Sequence, residues 1–240
     1  MDYVIAIPSF KREHALKTHT LRALRDIPIE RIHIFVANDD EYSKYKTVLP
    51  DYKIIVGVEG LRDQRNFISQ YFPLNAKIVS IDDDIRDFVL LKDNELQSII
   101  DMDIHFQEGF KKCQEENAHL FGFYPVLNKL FMKETTTNHF RFIIGSCFGY
   151  INRKISYSVL QKEDYEFSVL NYIHDKKVIR FNYISMKTKY YKMKGGLQSF
   201  NNRLEEQNAS VKYLLDTYSD YFVRKKSFKS GFPELRLKKV

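Results

Sequence analysis

The sequence predicts an α/β domain built on a mainly parallel sheet flanked by helices. Three observations carry that expectation. Short, continuous apolar runs recur in the first third of the chain, the pattern of strands buried on both faces. Segments of helical period separate those runs. Each run ends in a cluster of polar or small residues, and α/β sheets hold ligands at the carboxyl ends of their strands.

The elements follow in order. Residues 3–8, Tyr-Val-Ile-Ala-Ile-Pro, form a first strand, ended by Pro8 and Ser9. Residues 13–25 carry Ala15, Leu16, Leu21 and Leu24 at helical spacing and predict a helix. Residues 31–37 are a second strand and 53–57 a third, separated by a short helix over 41–49 that Pro50 stops. A helix over 61–71 leads to a fourth strand, 77–81. The alternation then loosens. We expect an antiparallel strand at 85–91, a helix at 103–116, strands at 120–126 and 140–144, a helix at 161–173 and a strand at 178–184. An amphipathic helix follows at 203–218, with Leu204, Val211, Leu214 and Leu215 inward. Segments 127–139 and 194–202, the latter with Gly195-Gly196, read as mobile loops. No linker or repeat divides the chain, so residues 1–240 are expected to be one domain. Residues 1–84 would be a nucleotide-binding half and 85–240 an acceptor-binding half.

Composition bounds the class. The 240 residues are 44% hydrophobic and 29% charged, ordinary for a globular protein. No apolar run reaches the roughly 20 residues that span a bilayer. With a strand starting at Tyr3 no secretory leader is expected, and Cys113 and Cys147 form no metal or disulfide pattern. A reducing, cytoplasmic setting is expected. The net charge of +7 is uneven: residues 176–240 hold 16 Lys and Arg against 5 Asp and Glu, while the rest holds 22 against 26. Such a basic region attracts the phosphates of nucleic acid, nucleotide or lipid headgroup.

Chemistry concentrates at Asp82-Asp83-Asp84, directly after the fourth strand. Adjacent carboxylates repel unless a cation sits among them, and hard divalent ions such as Mn²⁺ and Mg²⁺ take oxygen ligands. A metal–diphosphate site is one reading, and a solvated acidic turn is the other. Gly60-Leu-Arg-Asp-Gln-Arg-Asn66 places Arg62, Arg65 and an amide near a helix N-terminus, which suits phosphate. Pro8-Ser-Phe-Lys-Arg12 adds a hydroxyl, two cations and a ring. Gly145-Ser-Cys-Phe-Gly149 lets backbone approach a ligand or makes a tight turn. Glu163 and Asp164, opening a helix, are caps or candidate bases for an acceptor hydroxyl.

This ordered set resembles the GT-A glycosyltransferases, most of all the TET/JBP-associated glycosyltransferases of phages and other viruses. The likeness continues through Gly195-Gly196 and Arg203 to Phe232-Pro-Glu-Leu-Arg236. It implies a GT-A-like (Rossmann-like) fold and sugar transfer from a nucleotide-sugar donor, expected to be a UDP-sugar, with Mn²⁺ or Mg²⁺. It implies that Pro8, Ser9, Arg12, Arg62 and Arg65 line the nucleotide and that Asp82 touches the ribose. Asp84, with Asp82, would ligate the metal, and Asp83 would orient the sugar. Asp164, or else Glu163, would deprotonate the acceptor in an inverting displacement. No C-terminal His or Asp stands out to complete the metal shell. The implied acceptor is a hydroxymethylated base in viral DNA, with Phe131 and Phe200 as stacking candidates and Lys225 and Lys226 on the DNA surface. Two readings compete: the same fold acting on a glycan, lipid or protein, and a non-enzymatic nucleic-acid-binding module. A nucleotidyltransferase ranks low, because its Gly-Ser and paired-carboxylate spacing is missing.

Overall fold

A computed structural model describes residues 3–188, 202–225 and 231–240. The four expected strands form as β1 (Val4–Pro8), β2 (Ile32–Val36), β3 (Lys53–Val56) and β4 (Lys77–Ile81). They lie parallel in the order β3-β2-β1-β4, with Ile5 beside both Ile32 and Val79. Every residue of β2 is buried, as its unbroken apolar run requires. The chain steps outward from β1 to β3 and then crosses back to β4 on the other side of β1. That reversal opens a crevice at the carboxyl ends of β1 and β4.

The first helix is two: α1 (Glu13–Thr18) and α2 (Thr20–Ala23), broken at His19. The break serves the acidic turn. Buried Thr20 donates its hydroxyl to the Asp82 carbonyl at 2.8 Å and accepts from the Ile85 amide at 3.0 Å. Next come α3 (Asp39–Val48) and α4 (Leu61–Tyr71). Asn38 caps α3 by accepting from the Glu41 amide, so the polar end of β2 starts a helix and only Ala37 faces the crevice.

The back half extends the same sheet. In chain order come β5 (Asp87–Lys92), β6 (Glu95–Ser98), α5 (Asp103–Glu116), β7 (Leu120–Phe123), β8 (Thr136–Thr137) and β9 (Cys147–Ile151). After them come α6 (Glu163–Asp175), β10 (Ile179–Phe181), β11 (Ile184–Lys187), α7 (Arg203–Thr217), β12 (Phe222–Arg224) and β13 (Leu235–Leu237). β9 pairs antiparallel with β4 and with β7, which returns β7 and the parallel β10 to the direction of β4. The sheet order is β3-β2-β1-β4-β9-β7-β10-β8, so the halves on either side of residue 84 share one sheet. β11-β5-β6 and β12-β13 make two small antiparallel sheets.

Three expectations change. No strand forms at 140–144; its backbone is held by side chains, with Ile143 bonded to the Ser168 hydroxyl at 3.0 Å, and the strand starts at Cys147. The strand at 178–184 divides into β10 and β11, which join different sheets. Leu204 is 52% exposed, and α7 instead buries Val211 and Leu214 against Phe140, Val169, Phe222 and Leu235. Segment 127–139 is largely irregular but contains β8; residues 194–201, Phe200 among them, lie outside the described residues.

Gly149 packs in the core rather than near a ligand. A Cβ there would lie 2.1 Å from the Phe121 ring, which Phe110, Phe123 and Phe181 hold in place. Gly149→Ala should therefore destabilise the fold by about 1–3 kcal/mol, read as a lower urea midpoint. An unchanged midpoint would show that the ring moves freely.

Candidate active site

A cavity of about 450 Å³ opens at the carboxyl edge of the sheet. Its floor comes from Pro8, Ser9, Phe10 and Arg12 after β1 and from Asp82, Asp83 and Asp84 after β4. Ala37, Val58 and Leu61 give an apolar wall, and Gln64 and Arg65 of α4 stand beside it. Phe142, Ile144, Gly145 and the N-terminus of α6 add a further wall. Arg203, Gln207 and Glu234 complete it from the C-terminal region.

The three adjacent aspartates have different surroundings because successive side chains leave the turn in different directions. Asp83 is buried. One of its oxygens accepts from Ser9 Oγ at 2.6 Å and the other from Arg12 at 2.9 Å. The Tyr45 hydroxyl lies 2.6 Å from Ser9 Oγ and accepts from the Arg12 amide. Asp83 is thus a brace for the β1 loop, with both oxygens engaged inside the protein. Asp84 lies 3.8 Å from the Arg12 guanidinium, its side chain 15% exposed. Burial raises its pKa, and Arg12 opposes that rise. Asp82 lies 3.3 Å from Arg65 with its side chain 34% exposed to the cleft. Burial pushes it up to about 7 against the pull of Arg65, and the neighbouring Asp84 and Asp83 add to the rise.

Arg65 ties the site together. It is fully buried and bonds Glu163 at 2.7 Å, the Gly145 carbonyl at 2.7 Å and Asp82 at 3.3 Å. A Cβ on Gly145 would lie 2.9 Å from this guanidinium, so only glycine fits between Arg65 and Asp164. Glu163 is therefore neutralised by a buried cation. Asp164, next to it on α6, faces the cavity with one oxygen 3.3 Å from the Gly145 amide. Burial first, and the Glu163 charge second, push Asp164 up to about 7. A carboxylate poised there accepts a proton readily near neutral pH.

Arg62 does not line the cavity. Its guanidinium turns outward to Asp63, at 2.8 and 2.9 Å, and to the Ser158 carbonyl. The sequence reading also missed Tyr45, Thr20 and Gln207. Each is an ordinary helix residue by sequence, and only tertiary contact gives it a place here. The basic region after residue 176 is partly neutralised: Lys177, Lys187, Lys212 and Lys225 pair with Glu116, Asp87, Asp216 and Glu234. Lys226 lies outside the described residues.

The donor chemistry suits a divalent cation. The cavity lining carries six carboxylates against four basic side chains. With Arg12 on Asp83 and Arg65 on Glu163, the surplus negative charge falls on Asp82 and Asp84. No three His, Cys, Asp or Glu side chains converge as a complete ligand set among the described residues.

No curated protein matches the chain. Solved structures do. A Pyrobaculum calidifontis mannosyltransferase in complex with GDP-Man and Mn²⁺ aligns at a TM-score of 0.57 and 11% identity, over 91% of this chain. The chain spans 64% of that enzyme's length. Glucosyl-3-phosphoglycerate synthase from Mycobacterium tuberculosis, in complex with Mn²⁺, UDP-glucose and phosphoglyceric acid, aligns at 0.54 and 7% identity, over 99% of this chain and 86% of that one. The same synthase with Mg²⁺ and UDP aligns at 0.53 and 8% identity, over 98% and 86%. At such identities the likeness is one of fold, and the fold is GT-A. Residues 3–196, most of the chain, match the profile of the TET-associated glycosyltransferases, and the chain belongs to that family.

Proposed function

We propose that the cavity binds a nucleotide-diphosphate sugar with Mn²⁺ or Mg²⁺ and transfers the sugar, with inversion, to a hydroxymethylated base in DNA. One observation carries the reading: Asp82 and Asp84, each at the edge of an arginine more closely bonded to another carboxylate, line a single cavity of ligand size together with Asp164. Asp82 and Asp84 would hold the cation, and the diphosphate and water would fill the positions no side chain supplies. A bound divalent ion would neutralise charge that develops on the departing diphosphate. Arg12 and Arg65 fix the carboxylates that meet it. The apolar wall of Ala37, Val58 and Leu61 suits the nucleobase, with Pro8, Ser9 and Phe10 beneath it. Asp164, at the N-terminus of α6, takes the acceptor proton in an inverting displacement. The structural relatives support the donor and metal, being complexes with GDP-Man or UDP-glucose and Mn²⁺, or with UDP and Mg²⁺.

The family name favours DNA as acceptor, and the chain's net positive charge agrees with it. No helix among the described residues is long and apolar enough to cross a membrane. We place the enzyme in the cytoplasm, where such DNA is made. Incubation with a panel of UDP- and GDP-sugars, with Mn²⁺ or with chelator, tests the donor half. Metal-dependent hydrolysis of at least one donor is expected, and inertness toward all of them would remove the proposal.

Acceptor stacking has a candidate of its own. Phe131 is 60% exposed beside Leu130 at 86% in the segment after β7. A base extruded from a duplex, or one on a single strand, gains from such a ring. Phe131→Ala should raise the KM for a hydroxymethylcytosine oligonucleotide about tenfold and leave donor hydrolysis unchanged. An unaltered KM would return Phe131 to the surface.

A further inference from the structure

Two arginines sit together beside the cavity with no carboxylate. Arg180 is the central residue of β10. Its Nε donates to Asn182 Oδ1 at 2.8 Å, and its guanidinium lies 5.2 Å from the centre of the Tyr124 ring. Asn182 is itself buried and reaches the Thr135 and Thr137 hydroxyls, each at 3.4 Å. Arg180 is thus held in one orientation. Arg141 approaches it closely enough for the two charges to repel, and His139 lies within the field of both. Burial and this repulsion pull Arg180 down to about 10. Among the described residues neither arginine forms an ion pair, and Arg141 Nε is buried with no partner. By contrast, Lys177, Lys187 and Arg153 in this half each pair with a carboxylate.

Position says what such a cluster serves. β7 and β10 run parallel to β4, so Arg180 lies toward the same sheet edge as the acidic triplet. Three strand spacings separate β10 from β4, about 14 Å. The cluster is therefore removed from the place where Asp82 and Asp84 would meet a diphosphate. It adjoins the acceptor wall instead. Arg180 Nη1 lies 3.4 Å from the Phe142 carbonyl, and the Phe142 ring packs on Tyr165, the residue after Asp164. The segment bearing exposed Leu130 and Phe131 runs back across Asn182, whose carbonyl accepts from the Lys133 amide and whose amide donates to the Thr135 carbonyl.

We propose that Arg141 and Arg180, with His139 at their edge, form a subsite for a backbone phosphate of the acceptor strand, setting the distance between that phosphate and the hydroxyl presented to Asp164. Paired guanidiniums suit phosphate oxygens, and a partly buried pair without an acid leaves room for an external anion. The inference rests on the DNA reading above, but its phosphate chemistry can be tested apart from it.

The experiment uses the full chain, a labelled single-stranded oligonucleotide with one hydroxymethylcytosine, and inorganic phosphate as a minimal probe. Arg141→Gln is the main variant, since Arg180→Gln risks the fold. Lys111→Gln, on the outer face of α5, controls for net charge. Arg141→Gln should weaken oligonucleotide binding about tenfold and flatten the log–log salt slope by about 0.7, the value for one phosphate on a single strand. Lys111→Gln should do neither, and donor hydrolysis should stay normal in both. An Arg141→Gln variant indistinguishable from Lys111→Gln would overturn the subsite and leave the DNA reading standing. If the wild type binds no oligonucleotide at low salt, yet phosphate raises its Tm and not that of Arg141→Gln, DNA falls as the occupant and the anion site remains. If neither phosphate nor oligonucleotide binds, both ideas fall together.

Discussion

Asp164→Asn should lower sugar transfer about a thousandfold and leave donor affinity intact. A positioned base contributes roughly 10²–10⁴ in rate, and the amide cannot accept the acceptor proton. Donor affinity should survive because Asp164 is bonded to the Gly145 and Tyr165 amides and shares no hydrogen bond with Asp82 or Asp84. Wild-type transfer should rise as pH passes through about 7 and level off above it, since the base must be ionised. Stability carries the same signature with a definite sign. A carboxyl whose folded pKa is raised stabilises the fold below its ordinary range, and that contribution is lost as pH rises through about 7. Asp164→Asn removes the charged form, so its stability relative to wild type should grow from pH 5 to pH 8. Calorimetry with donor separates the roles. Lost donor affinity would move Asp164 into the donor site. A silent Asp164→Asn beside a damaging Glu163→Gln would transfer the base to Glu163, against the 2.7 Å bond that engages Glu163 with Arg65.

The front half of the fold was legible because it depends on local pattern. Apolar runs of four to six residues, buried on both sides, have few alternatives to a parallel sheet. The acidic triplet was legible as a site for the same reason: three charges at the end of a buried strand conflict with their surroundings unless something meets them. The division of labour within the triplet was not legible. Ser9 and Arg12 claim Asp83, with Tyr45 bonded to both of them, while Arg65 claims Glu163, and these residues come from three separate places, the β1 loop, α3 and α4. Arg62 and Arg65 look alike by sequence. Helix phase alone sends one to Asp63 at the surface and the other under Gly145. The strand expected at 140–144 was misplaced because its apolar residues anchor a loop whose backbone bonds go to side chains. The pair Arg141 and Arg180 was invisible, since 39 residues separate its members and neither carries a motif.

Asp84→Asn should cost at least about a hundredfold in both transfer and donor hydrolysis, with the fold unharmed. The substitution keeps the shape of the side chain and removes one of the two triplet charges whose arginine is more closely bonded to another carboxylate. If Asp84 is the principal metal ligand, Mn²⁺ and donor affinity should fall together, because each supplies part of the other's site. The fold should tolerate the change, since Asp84 has no hydrogen bond as close as those of Asp83, and losing its charge relieves repulsion with Asp82 and Asp83. Asp83→Asn should behave in the opposite sense. It weakens the bonds to Ser9 and Arg12, so a lower Tm should accompany any loss of activity. A thermal-shift titration with Mn²⁺ and UDP separates the two aspartates: protection should vanish in folded Asp84→Asn and persist, from a lower starting Tm, in Asp83→Asn. Near-normal turnover by a folded Asp84→Asn protein would remove Asp84 from the metal site. The cation would then have to be held by Asp82, the remaining carboxylate of the triplet not already bonded to Ser9 and Arg12.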